Sequence, residues 1–164
     1  MPTVLPAVRA IPYRRDAVVN ANLQVVCPQC DAINRVPEAR LGDGPRCGEC
    51  RAVLFEGKPL ALSEARFRRH LRLSGVPLLV DFWASWCGPC RAMAPAFETA
   101  AQALEPHMRL IKVSTEDAPA LATELAISSI PTLALFAGGR EVARQAGALP
   151  ASRIVAWAKS ALPA

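Results

Sequence analysis

The sequence predicts an α/β fold, a central mixed sheet flanked by helices, with a small cysteine-rich module ahead of it. Three observations carry that expectation. From about Leu60 onward, strand-like apolar blocks alternate with helix-like blocks, as crossover units around a central sheet require. The last two strand-like blocks flank Gly138-Gly139, a hairpin signal that adds antiparallel strands and makes the sheet mixed. Ahead of that region, two Cys-x-x-Cys pairs sit among Pro28, Pro37, Gly42, Gly44, Pro45 and Gly48, a stretch of turn formers that can bury little apolar surface by itself.

In chain order, residues 1–22 hold Pro2, Pro6 and Pro12 with Arg9, Arg14 and Arg15 among them. They lack the apolar core of about 7–15 residues that a secretory signal uses, and their prolines spoil the amphipathic helix of a transit peptide. A flexible leader, or an over-long start to the reading frame, is expected here. Residues 23–57 form the four-cysteine module, and Gly57-Lys58-Pro59 marks a boundary before a second domain over residues 58–164. In that domain Ser63 caps a helix running to about Leu73, closed by Ser74-Gly75. Residues 77–83 read as a buried strand carrying one acid, Asp81. The third cysteine pair follows at once and opens a helix to about Leu104, with Pro95 inside it. A strand is expected over 109–113 and a helix over 119–126, with proline in its first turn. Strands over 132–137 and 141–145 form the hairpin, and a last helix spans about 150–162.

Composition excludes several functions. A hydrophobic fraction of 52% with 20% charged residues suits a globular, soluble chain. No apolar run approaches the roughly 20 residues needed to span a bilayer, so no membrane partner is expected. The formal charge is +5, and the densest basic group, Arg66, Arg68, Arg69 and Arg72, reads as a solvated helix face. Nucleic-acid binding calls for a longer basic stripe interleaved with aromatics, and only 5% of residues are aromatic. His70 and His107 each stand alone, without a partner at ligand spacing, and read as ordinary surface or boundary residues.

The chemistry lies in Cys87 and Cys90. Cysteines three apart at the start of a helix share one face and can form a disulfide. Cys87 falls where unpaired backbone N–H groups and the helix dipole favour a thiolate, the reactive form. Pro89 fits the first turn, where its missing N–H breaks no helical bond. Asp81, embedded among Leu79, Val80, Phe82 and Trp83, is expected to be buried with a raised pKa, suited to accept the proton of Cys90.

The segment Val80-Asp81-Phe82-Trp83-Ala84-Ser85-Trp86-Cys87-Gly88-Pro89-Cys90 resembles the active site of the thioredoxin family almost residue for residue. Ile130-Pro131-Thr132 resembles that family's cis-proline loop, and Lys112, Gly139 and Gly147 fall at familiar places. The resemblance covers about residues 60–162 and implies a thioredoxin fold. It implies that Cys87 attacks a substrate disulfide and that Cys90 then displaces the substrate from Cys87. It also implies a cis bond before Pro131, leaving the Ile130 backbone to pair with an extended client segment. Trp83 is expected to pack in the core, and Trp86 to shield the sulfurs at the surface. Lowered thiol pKa and reducing potential are general properties of thioredoxin.

The remaining cysteines, Cys27, Cys30, Cys47 and Cys50, form two pairs with sixteen residues between them. That spacing matches a four-cysteine zinc site made of two knuckles, with Pro28 and Gly48 permitting the sharp turns. Iron fits the same ligands, and two disulfides are a weaker alternative. Joined to the Cys-Gly-Pro-Cys domain, the module is similar to the zinc-containing thioredoxin-2 class of bacteria, and Asn34-Arg35-Val36-Pro37 resembles that class as well. One structural zinc ion is expected, with no bound nicotinamide or flavin, since no Gly-x-Gly-x-x-Gly fingerprint occurs.

The resemblance therefore implies a protein-disulfide reductase. Two other readings stay open to the residues. One is a disulfide oxidant or isomerase on the same fold, and the other a ribbon module whose second domain only docks partners. Expected partners are an NADPH-dependent thioredoxin reductase and disulfide-containing client proteins, with the protein monomeric in the cytoplasm, where the cysteines stay reduced.

Overall fold

The structure, a computed structural model, describes residues 21–163. All but the last two residues of the expected leader lie outside it. Strands β1 (Asn22–Val26) and β2 (Ile33–Pro37) pair antiparallel, with Val25 opposite Asn34. A 3-10 turn over Glu38–Asp43 follows, and an isolated bridge between Arg46 and Val53 closes a second small hairpin. Each of the first two Cys-x-x-Cys pairs sits at the tip of one hairpin.

The two tips are built alike. In the first, Cys27 N–H donates to Ala32 O and Asp31 N–H to Cys27 O; in the second, Cys47 N–H donates to Ala52 O and Arg51 N–H to Cys47 O. The left-handed residues that make these turns are Asp31 (φ 60) and Arg51 (φ 68). This corrects the expectation that Pro28 and Gly48 would bear the sharp bend. The strain sits just after the second cysteine of each pair, where the chain must reverse to rejoin its hairpin.

The larger sheet has the order β3-β5-β4-β6-β7. Strands β3 (Leu60–Ala61), β4 (Leu78–Trp83) and β5 (Arg109–Ser114) run parallel, while β6 (Thr132–Ala137) and β7 (Arg140–Ala146) are antiparallel additions. Edge strand β3 has no counterpart among the expected elements, because two residues carry no periodicity. The helices are α1 (Glu64–Leu73), α2 (Gly88–Leu104), α3 (Pro119–Glu124) and α4 (Ala151–Ala161). Ser63 caps α1 as expected, accepting from Arg66 N–H. Helix α3 ends before the expected residue 126, because Ala126 turns left-handed (φ 53). Gly138 and Gly139 both take positive φ, which the tight β6–β7 hairpin demands.

Both faces of the sheet are covered. On one, Leu79, Leu110, Leu133 and Leu135 pack with Phe97 of α2 and Ile154 of α4. On the other, Val80, Phe82 and Ile111 pack with Phe67 of α1 and Leu121 of α3. Phe67 meets Phe82 and Phe136 edge-on, at centroid distances of 6.3 and 5.7 Å. Alternation along β4 sets Asp81 on the face of Leu79, the one that α2 covers.

The amino-terminal ribbon is docked on this domain. Its small core of Val25, Val36, Leu41 and Leu54 is completed by Val76, which precedes β4. Gly75 N–H donates to Gln24 O at 2.7 Å, and a side chain at Gly75 would meet the Gln24 backbone at 2.9 Å.

Two expectations are corrected at this seam. Arg66 and Arg69 do not lie on a solvated face. Arg66 forks onto both carboxylate oxygens of Asp31 at 2.8 Å and onto Pro28 O, and Arg69 donates to Asp31 O. His70, read as a surface or boundary residue, is 1% exposed and lies 3.3 Å from Asp31 Oδ1. Burial foremost, aided by nearby Arg109, drives its pKa down to about 4. Helix periodicity places these residues on one face of α1, but the partner covering it comes from a distant segment. Arg109, also buried, reaches Leu54 O and Val26 O at 2.7 and 3.1 Å and stacks on Phe55, with Glu105 3.8 Å away.

Candidate redox centre and metal site

Strand β4 ends at Trp83, and four residues later Cys87 caps α2 with extended backbone (φ −85, ψ 111). Its sulfur accepts from Cys90 N–H at 3.2 Å, so it occupies the N-terminal anion position of the helix. Cys87 and Cys90 are joined as a disulfide, with Cα atoms 5.3 Å apart. Pro89 lies in the first turn, as its missing donor allows, and the helix continues through Pro95. Gly88 and Pro89 are exposed beside the pair.

Asp81 is fully buried, and among the described residues neither carboxylate oxygen has a hydrogen-bond partner. Desolvation raises its pKa to about 7, against a smaller opposing pull from Lys112. Lys112 is its register partner on β5, and the ammonium lies 4.6 Å from the Trp83 ring centre. Trp83, expected in the core, is only partly buried and serves as this platform.

The Ile130–Pro131 peptide is cis, and Gly147 N–H donates to Pro131 O at 2.9 Å. Cys87 Sγ lies 3.7 Å from Ile130 O, so the loop before β6 abuts the disulfide. Ile130 packs with Ala84, Cys87 and Cys90, while Trp86 stands 69% exposed at the rim. Sequence reasoning missed Glu116. Its carboxylate accepts from both Ser85 N–H and Ser85 Oγ at 2.6 Å, and Arg91 donates to Ser85 O. Those hydrogen bonds hold the Glu116 pKa below the usual range and fix the loop that leads to Cys87. Glu116 is one ordinary acid in a polar loop, so nothing local in the sequence marks it.

At the other cluster, the four sulfurs of Cys27, Cys30, Cys47 and Cys50 all lie within 4.8 Å of one another. Across the two tips, Cys27 and Cys50 approach to 3.6 Å, as do Cys30 and Cys47. Thiolates about 2.3 Å from a tetrahedral metal stand about 3.8 Å apart, so the donor set and its spacing fit such an ion. Backbone N–H groups of Gln29 and Glu49 point at Cys27 and Cys47. The N–H of Cys50 foremost, with those of Glu49 and the Asn34 amide, draws the Cys47 pKa down to about 6. Cys27 and Cys47 are buried, Cys30 and Cys50 exposed. The cluster has the form of a metal site.

Among the described residues no helix is long and apolar enough to cross a membrane. Two family models match the chain, one described as Thioredoxin over residues 58–160 and one as Thioredoxin 2, N-terminal, over residues 26–52. Thioredoxin C-3 of Corynebacterium nephridii is 41% identical over 133 residues, spanning 81% of this chain and 91% of that protein. The chloroplastic M-type thioredoxin of Chlamydomonas reinhardtii is 37% identical over 123 residues, spanning 73% and 88%. Among solved structures, a mutant thioredoxin from Halobacterium salinarum superposes with a TM-score of 0.60 at 25% identity, covering 69% of this chain and 98% of that one. Chloroplastic thioredoxin z gives 0.58 at 28% identity, covering 63% and 94%.

Proposed function

The chain belongs to the thioredoxin family and is a thiol–disulfide oxidoreductase; from that premise we propose that it reduces protein disulfides through Cys87 and Cys90. The observation that carries the reading is the position of Cys87. Its sulfur caps α2, where helix N–H groups favour the anion, while Cys90 lies one turn deeper with 2% exposure.

In the proposed cycle, the Cys87 thiolate attacks one sulfur of a client disulfide. An S–S bond forms between Cys87 and the client, and the other client sulfur leaves as a thiolate that takes up a proton. Cys90 gives its proton to the Asp81 carboxylate and attacks Cys87 Sγ, expelling the second client thiolate. Two electrons pass to the client, and the Cys87–Cys90 disulfide remains. A pKa near 7 suits Asp81 to take and return that proton at neutral pH. Gly88 and Pro89 shape the turn between the sulfurs. Trp86, Ile130 and Pro131 form the client-facing rim, where an extended segment fits better than a globular face because Cys87 is only 4% exposed.

The dithiol is regenerated by an NADPH-dependent thioredoxin reductase, in this proposal, since the chain has no nicotinamide fingerprint of its own. Residues 23–57 are assigned to the metal module and 58–164 to the catalytic domain, acting as a monomer. Cys27, Cys30, Cys47 and Cys50 hold one structural zinc ion, which suits an all-thiolate tetrahedral set. Four thiols kept as ligands favour a reducing compartment, and the cytoplasm is the one proposed.

Insulin reduction with a thioredoxin reductase and NADPH tests the reading. Turnover is expected from the wild type and none from Cys87→Ser, while Cys90→Ser is expected to hold clients as stable mixed disulfides. A Cys87→Ser protein that still turns over would overturn it. Metal analysis returning one zinc per chain, rather than iron, tests the second assignment.

A further inference from the structure

Asn34 stands between the two halves of the metal site. It lies on β2, and its side chain reaches in three directions. Oδ1 accepts from Gly48 N–H at 2.9 Å, inside the second knuckle. Nδ2 faces Ala32 O at 3.2 Å, just beyond the first knuckle, and Val25 O at 3.4 Å on β1. Nδ2 also lies 3.6 Å from Cys47 Sγ. The amide orientation is fixed by this set, because exchanging O and N would turn the nitrogen toward the Gly48 donor and the oxygen toward the carbonyls. Among the described residues, Asn34 alone has a side chain that bonds the chain on both sides of the first knuckle, the second knuckle and a ligand sulfur together.

We propose that Asn34 is the positioning residue that sets how tightly the four-cysteine site holds its metal. It acts in two ways. By tying Gly48 to Ala32 it holds the two hairpin tips at the separation that brings four sulfurs together, so less order must be created when the ion binds. By donating toward Cys47 Sγ it spreads charge off one thiolate of a site that would otherwise gather four. Partners at this second layer typically change metal affinity by roughly 10–100-fold when removed. The inference rests on the metal reading of the cluster.

The test uses the full chain and competition with a chromophoric chelator, with zinc for affinity and cobalt for spectra. Asn34→Leu removes every polar contact while keeping the branched outline of the side chain. It is expected to weaken metal binding roughly 10–100-fold and to speed metal loss. Removing a donor from a thiolate raises its electron density, so the sulfur-to-cobalt charge-transfer band is expected to move to longer wavelength. Asn34→Asp keeps an acceptor for Gly48 but sets a negative charge beside the thiolates, and is expected to bind metal no better than Asn34→Leu. Binding by Asn34→Leu within about twofold of wild type, or a band that does not move, would overturn the proposal. So would an Asn34→Asp protein that binds as wild type does. A wild type that takes up no metal fails at the first step and removes the metal reading along with it.

Discussion

Replacing Asp81 with Asn separates the proton-accepting role proposed for this acid from its effect on stability, because the two move in opposite directions. The carboxylate is buried without a hydrogen-bond partner among the described residues, and its pKa rises from 3.8 to about 7. In the unfolded chain it titrates near the ordinary value. Between those two pH values the folded state holds a proton that the unfolded state has lost, so stability falls as pH rises. The loss is complete above about pH 7 and absent below about pH 4. At about 1.36 kcal/mol per pH unit, the full span sets an upper limit of about 4 kcal/mol. Asparagine has no charge to bury. Asp81→Asn is therefore expected to stabilise the oxidised protein by up to about 4 kcal/mol at about pH 8, but by less than about 2 kcal/mol at about pH 5. Urea unfolding of both proteins at the two pH values measures the difference. Insulin reduction should move the other way, slowing near neutral pH as Cys90 loses its proton acceptor. A gain of equal size at both pH values would refute the titration argument, and unchanged turnover would remove Asp81 from the mechanism.

Three further predictions concern the seam between the ribbon and the larger sheet's domain. Arg109→Met should cost about 3–5 kcal/mol in thermal or urea unfolding, because it leaves the buried Glu105 carboxylate, held by the Gly57 N–H, without its counter-charge and strips the carbonyls of Val26 and Leu54 of this donor. Gly75→Ala places a methyl 2.9 Å from the Gln24 backbone nitrogen. It should cost about 1–3 kcal/mol and raise amide exchange in β1 while β4 stays protected. Asp31→Asn weakens the fork to Arg66 and should cost about 1–2 kcal/mol. In a double-mutant cycle with Arg66→Met, the two changes should fall well short of adding, and full additivity would show that the fork carries no energy.

Much of the candidate redox centre was legible because its residues are neighbours in the chain. Cys87 and Cys90 lie three apart at a strand-to-helix junction, and Asp81 lies in an apolar strand, so spacing and hydropathy suffice to place them. The metal cluster was legible for a related reason, since two short knuckles repeat one pattern. Other features escaped. Strand β3 is a two-residue edge with no period to detect. Glu116 acts through a contact to Ser85, 31 positions away. Asn34 was legible only as part of a resemblance, because its contacts converge from separate turns.

The linear order was enough to give the family, the mixed sheet flanked by helices, and the spacing of the cysteine pairs. Cysteine spacing is local, and the fold shows in the alternation of strand-like and helix-like blocks along the chain. That Arg66, Arg69 and His70 face the first knuckle rather than water follows from packing in three dimensions. Helical periodicity shows which residues share a face of α1, but burial depends on what packs there. Here the first knuckle, far upstream in the chain, brings Asp31 against that face and turns a basic stripe into a half-buried seam with His70 sealed beneath it.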